Sequence, residues 1–116
     1  MDRKRRIGRL LPLKAVWFHI LLALTEGAGH GHAIRERVAT RTGGKVRLWP
    51  VTLYGAIRQL SVEGLIEALE GDAGPDDDAR RRYYRLTRLG REVLLAEADR
   101  LELLVRAARS AQAAVR

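Results

Sequence analysis

Residues 50–66 read Pro50-Val-Thr-Leu-Tyr-Gly-Ala-Ile-Arg-Gln-Leu-Ser-Val-Glu-Gly-Leu-Ile66. Pro50 suits the first position of a helix, where its missing N–H has no intrahelical acceptor to find. Leu53, Ile57 and Leu60 recur at helical spacing and give that helix one buried edge. Gly64 is placed to stop it, and Leu65–Glu70 beyond it is short and reads as a strand. The arc opposite the buried edge holds Val51, Thr52, Gly55, Arg58 and Gln59, with Tyr54 at its border.

Upstream, Leu13, Val16, Trp17, Ile20, Leu21 and Leu24 recur at helical spacing, and Phe18 and Leu22 add a second apolar stripe. A helix apolar nearly all round is buried on more than one side, and in so small a chain a second protomer is expected to supply the second side. Glu26-Gly-Ala-Gly-His-Gly31 breaks it, with three glycines in five positions. A short helix is predicted over Ala33–Thr42, with Ile34 and Val38 one turn apart. Gly43-Gly44 ends it, and Lys45–Trp49 can be extended.

Downstream, Gly71–Asp78 is a turn and loop by composition, and Arg82–Thr87 reads as a returning strand with Tyr84 and Leu86 on one face. Thr87 can cap a long last helix. Along that helix Leu94, Ala98, Leu101, Val105 and Ala108 form a 4-3-4-3 apolar seam, widened by Leu104. The order is helix, helix, helix, two-stranded hairpin, helix. That order predicts a mainly α fold with a two-stranded β wing: a winged helix-turn-helix plus a long C-terminal helix. The expected divisions are a basic N-terminal tail over 1–12, a winged domain over 13–87 and a C-terminal dimerisation helix over 88–116.

The chain has 116 residues, 22 of them Lys or Arg against 14 Asp or Glu, for a net charge of +8. Residues 1–14 carry six bases and one acid; residues 35–59 repeat that balance, with Glu36 the lone acid. Residues 61–87 are acidic, with seven acids against Arg80, Arg81, Arg82 and Arg85. A basic middle segment suits a polyanionic partner, most often nucleic acid; an Arg-rich surface serving solubility is the alternative. The absence of cysteine excludes disulfides, thiolate zinc sites and a cysteine nucleophile. The longest apolar run, Ala15–Leu24, is interrupted by His19 and is too short to span a bilayer. No signal peptide, membrane partner or cofactor is expected, and a cytoplasmic placement is.

The residues also resemble a known family. His30-Gly31-His32, Thr52-Leu53-Tyr54, Leu60 with Glu63-Gly64-Leu65-Ile66, and Arg81-Arg82-Tyr83-Tyr84-Arg85-Leu86-Thr87 with Gly90 resemble the PadR-type transcriptional regulators. The resemblance runs from about Leu13 into the last helix. It implies a homodimeric repressor, responsive to a ligand, whose last helix completes the dimer. Two positions depart from the family pattern: Val51 stands where members often have Gly, and Gly55 where Arg or a larger residue is common. These departures bear on the operator sequence more than on the fold.

On the exposed arc, Arg58 can read guanine and Gln59 adenine through bidentate contacts, and Thr52 can reach a base or a phosphate. The arc can equally be an ordinary solvated helix face. Tyr54 can touch phosphate or pack the helix, and His32 can donate to phosphate from a helix start. Arg80, Arg81 and Arg82 can grip phosphates or a narrow minor groove, or neutralise Asp76, Asp77 and Asp78. Arg3-Lys4-Arg5-Arg6 can be a DNA-contacting arm or a loose tail. Trp17 and Phe18 can line a cavity for a small aromatic or apolar effector between protomers, or pack the core. His19, His30 and His32 do not supply converging metal ligands, so no metal is expected. No P-loop, Gly-x-Ser-x-Gly or paired general-acid carboxylates are present, so an enzyme is not expected. The expected function is a sequence-specific DNA-binding regulator on a palindromic operator; the alternative is a winged-helix module that binds protein.

Overall fold

A computed structural model describes residues 2–69 and 82–115. The chain forms α1 (Arg3–Leu10), α2 (Ala15–Leu24), α3 (Gly31–Arg41), α4 (Pro50–Val62), β1 (Ile66–Ala68), β2 (Tyr84–Leu86) and α5 (Arg88–Val115). This is a winged helix with a long C-terminal helix. The loop between the strands, with Arg80, Arg81 and the acids Asp76–Asp78, lies outside the described residues.

Helix α2 is the hub. It packs against α3, α4, α5 and β2. Ile20 and Leu21 have no exposed surface, and they meet Ile34, Leu53, Leu60, Leu65, Ile66 and Val93 in one core. Each such side chain contributes roughly 1.5–3 kcal/mol by leaving water. Helix α5 packs against α2 as well, and the second apolar side of α2 is covered only in part. Phe18 and Leu22 remain half-buried.

Local signals set the element ends. His30 caps α3, its Nδ1 accepting from the Ala33 N–H at 3.0 Å, so the helix begins two residues earlier than predicted. Gly64 ends α4 at φ +77°, a backbone conformation that costs glycine least, while the Leu65 N–H returns to the Leu60 carbonyl at 3.0 Å. Thr87 caps α5 as expected: its hydroxyl accepts from the Gly90 N–H at 3.0 Å and donates to the Gly64 carbonyl at 2.7 Å. Gly90 sits so close to the Leu65 carbonyl that a Cβ there would overlap it. The stretch 45–49, which can be extended, forms no strand.

In the wing, β1 and β2 pair antiparallel with Ile66 opposite Leu86, Glu67 opposite Arg85 and Ala68 opposite Tyr84. Glu67 and Arg85 form an ion pair across the strands at 2.6 Å. Tyr84 is also bridged to Gly29 by a reciprocal pair of backbone bonds at 3.0 and 3.1 Å. The base of the wing is thereby fastened to the loop before α3.

The basic N-terminal stretch, expected as a tail, is a helix. Asp2 caps it by accepting from the Lys4 N–H at 3.2 Å. Arg3 pairs with Glu92 on α5, and Arg6 donates to the Glu63 carbonyl at the end of α4, at 2.6 Å. Ile7 and Leu10 pack on the core from its inner side. Two apolar residues are too few to show periodicity, so the tertiary anchors hold this helix.

In α5, Val93 and Leu94 are buried in the protomer's own core. Leu94 therefore faces inward, and does not belong to the exposed seam expected of it. Buried beside them is Glu97, whose carboxylate accepts from the Leu13 N–H at 3.2 Å and from Arg100 at 2.7 and 2.8 Å. The Arg100 guanidinium holds the Glu97 carboxyl below its ordinary value of 4.5; burial opposes this and the Leu13 N–H adds to it. Beyond Glu97 the same face of the helix continues as Leu101, Leu104, Ala108 and Ala111, all exposed.

Candidate nucleic-acid interface

Helix α4 turns Leu53, Ala56, Ile57 and Leu60 into the core, so its opposite side is committed to solvent. Positions 51, 55, 58 and 62 fall at intervals of four, three and four, one line along that side. Val51 is 88% exposed and Val62 79% exposed; Arg58 between them is also exposed. No acid occurs from Trp49 to Val62, and Arg58 is the one charge in that stretch. Among the described residues, acids stand only at its borders, Glu63 past the helix end and Glu67 on the wing, so α4 itself offers a polyanion no like charge.

The helix has two flanks. Thr52 and Gln59 line a shallow groove with Lys14, Val16 and Trp17 of the α2 start. The Lys14 ammonium lies 5.1 Å from the Trp17 ring centre. On the other flank a groove of about 430 Å³ separates α4 from the wing, lined by Tyr54, Arg58 and Ser61 on one side and Glu67 and Arg82 on the other. The arc thus stands between a basic helix start and an arginine-bearing wing. Val51, Thr52, Gly55, Arg58 and Gln59 are brought together there, and Arg82 joins them across the groove. Arg80 and Arg81 lie outside the described residues.

Tyr54 is half-buried with its ring against Gly31, at the start of α3. Its first role is therefore to pack the two helices of the helix-turn-helix. His32 is exposed at the start of α3. His30 lies between it and the wing, with the His30 ring edge-on to Tyr83 at 5.2 Å.

The basic residues of the middle segment divide by role. Arg37 donates to the carbonyls of Gly27 at 2.7 Å, Ala28 at 3.2 Å and Ala23 at 3.3 Å, tying down the loop before α3. Arg41 pairs with Glu26 at 2.8 Å. Arg35 lies over the Trp49 ring at 5.7 Å. Lys45, Arg47 and Arg58 are exposed and make no ion pair with a described residue. The charge available to a ligand is thus smaller than the composition suggests, and concentrated before and along α4.

Sequence reasoning missed Trp49, Val62 and Lys14. Trp49 is 65% exposed at the N-cap of α4. Val62 was legible, since it continues the line from Val51 through Arg58 by one more turn. Lys14 reaches the site only through the packing of α2 on α4.

Trp17 is buried in the core, and Phe18 is half-buried on a different face of α2. Within one chain they do not share a wall, because consecutive helical residues point about 100° apart. Among the described residues no group of three His, Cys, Asp or Glu could hold a metal, and no helix is long and apolar enough to cross a membrane.

The sequence pattern of the transcriptional regulator PadR-like family matches residues 20–96. An uncharacterized protein X of Lysinibacillus sphaericus is 33% identical over 75 residues, 65% of this chain and 67% of that protein. A 37.1 kDa protein in transposon TN4556 of Streptomyces fradiae is 36% identical over 85 residues, 73% of this chain; the chain spans only 22% of that protein's length. Among solved structures, a transcriptional regulator from Clostridium thermocellum is similar with a TM-score of 0.68 at 27% identity, over 82% of this chain and 87% of that one.

Proposed function

The chain belongs to the PadR-like family of transcriptional regulators, and from that premise we propose that it is a homodimeric repressor that binds a palindromic DNA operator. The observation that carries this reading is the outward line of α4: acid-free, centred on Arg58, and flanked by Gln59 and Thr52 on one side and the wing on the other. Arg58 and Gln59 read base edges in the major groove. Arg82, with Arg80 and Arg81, holds the phosphates beside them. Thr52 and His32 contact the backbone at two helix starts.

The dimer is supported by α5. The face that is core up to Glu97 runs on as Leu101, Leu104 and Ala108, exposed and with no other described element over it. A second copy related by a two-fold axis covers it, with Ala98 and Val105 at its margin. Two α4 helices then present themselves to half-sites about one helical turn apart. Release is by a small planar, apolar effector seated beside the half-buried Phe18, where the protomers meet at α2. Such a molecule acts only by binding the two dimer shapes with different affinity.

The test is a titration of the full chain against its own promoter region and against a scrambled duplex, without effector and at two salt concentrations. A specific regulator prefers the promoter region at both. Equal affinity for the two duplexes would falsify the reading and favour a module that binds protein.

A further inference from the structure

Gly55 is unexplained by the fold. A Cβ placed on it meets nothing within 4 Å, and its φ is not in the left-handed region. Glycine inside a helix is less favourable than alanine, so the protomer gains nothing from its presence. One turn before it, Val51 holds an apolar side chain in water at 88% exposure, on a helix whose inner side is well packed. A methyl-bearing residue and a missing side chain therefore lie in line with Arg58, on the acid-free face of α4.

Resting on the reading of α4 as the DNA-reading helix, we propose that Val51 recognises the 5-methyl group of a thymine in each half-site and that Gly55 lets the bases approach the helix backbone. The major groove is about 12 Å wide and a helix with its side chains 10–12 Å across, so the fit is tight. Removing one side chain from the leading face is the way to bring the axis nearer the bases. Thymine is the one base whose major-groove edge carries an apolar group, and Val51 can offer nothing but apolar contact. Val51 and Arg58 are seven residues apart, about 10 Å along the axis. The thymine therefore stands within about three base pairs of the guanine that Arg58 reads. An apolar protein ridge is the other occupant; the lack of acids from Trp49 to Val62 and the neighbouring Lys14, Arg58 and Arg82 favour DNA.

The full chain is used to enrich a duplex from a random pool, and each thymine of that duplex is then replaced by deoxyuridine, which removes only the 5-methyl group. One position per half-site is expected to weaken binding roughly four-fold, the value of one buried methyl. Val51→Ala weakens binding on the thymine duplex and loses the difference between thymine and deoxyuridine, the coupling expected of a direct contact. Gly55→Ala raises Tm, because the added methyl enters open space on a helix, yet lowers affinity about ten-fold or more. Unchanged affinity at every deoxyuridine position, or wild-type binding by Gly55→Ala, overturns the inference. When either of these is found and Arg58→Ala still releases the enriched duplex, the DNA-reading role of α4 stands and only this inference falls. Failure to enrich any duplex overturns both.

Discussion

Tyr54 of α4 lies directly against Gly31 at the start of α3, with no room for a Cβ between them. The contact sets how closely the two helices of the helix-turn-helix approach, and so how far α4 projects from the core. Gly31→Ala is expected to destabilise the chain by about 1–3 kcal/mol, the usual cost of overpacking a filled site. Tyr54→Ala is destabilising on its own but removes the clash. Urea unfolding of the two single variants and the double variant checks this: the double should cost clearly less than the sum.

Arg58 and Arg82 face the same groove but are expected to fail differently. Arg58→Ala should cost roughly 1–3 kcal/mol per half-site and relax the preference at one base pair. Arg82→Ala should lower affinity alike on operator and scrambled DNA and make the salt dependence shallower, since a phosphate carries no base identity. Titrations of both variants on both duplexes at several salt concentrations separate the two. Equal losses with unchanged base preference for Arg58→Ala would remove it from the base-reading set.

Leu101 is exposed one turn beyond the buried Glu97, on the continuation of the core face of α5. Leu101→Asp places a charge in the apolar stripe that a second copy must cover. Sedimentation at micromolar concentration should show a dimer for the wild type and a folded monomer for the variant. A folded wild-type monomer at that concentration would refute the assembly.

Glu97 ties α5 to the start of α2, and Arg100 keeps its carboxyl below the ordinary value. A carboxyl depressed in the folded state contributes stability that is present above its unfolded value and lost as pH falls through the folded one. Glu97→Gln, which cannot titrate there, should therefore have a lower Tm than wild type at neutral pH. The gap should close as the pH is taken below the ordinary carboxylate range. Melting curves of both proteins from neutral to acidic pH decide it; a gap independent of pH would assign the loss to packing alone.

The parts legible in the sequence are those set by local rules. Pro50, the Leu53–Ile57–Leu60 edge and Gly64 fix α4 and its stop, because helix entry, amphipathic spacing and a left-handed cap each act within a turn. The wing strands and the Thr87 cap are equally local. The outward arc of α4 is the complement of its buried edge, and Val62 extends it by the same spacing about one turn beyond Gln59. Helix α1 was obscured because its bases outnumber Ile7 and Leu10. The Asp2 cap was its one local signal.

Sequence alone thus determined the order of elements, the face of α4 that is free, and the family motifs spread from His30 to Gly90. Tertiary structure decided which of several chemically equivalent residues does which work. Arg37 and Arg41 hold the loop before α3 while Arg58 is left exposed, a division that follows from which carbonyls and carboxylates lie within reach. Leu94 is core and Leu101 is surface although both sit on one apolar stripe, because α2 covers α5 only in its first turns. Glu97 falls on the core side of α5 by spacing, three residues after Leu94, and only the tertiary structure supplies the Leu13 N–H and the Arg100 guanidinium placement that satisfy it there. Periodicity gives the direction in which a side chain points, and only packing supplies what it meets.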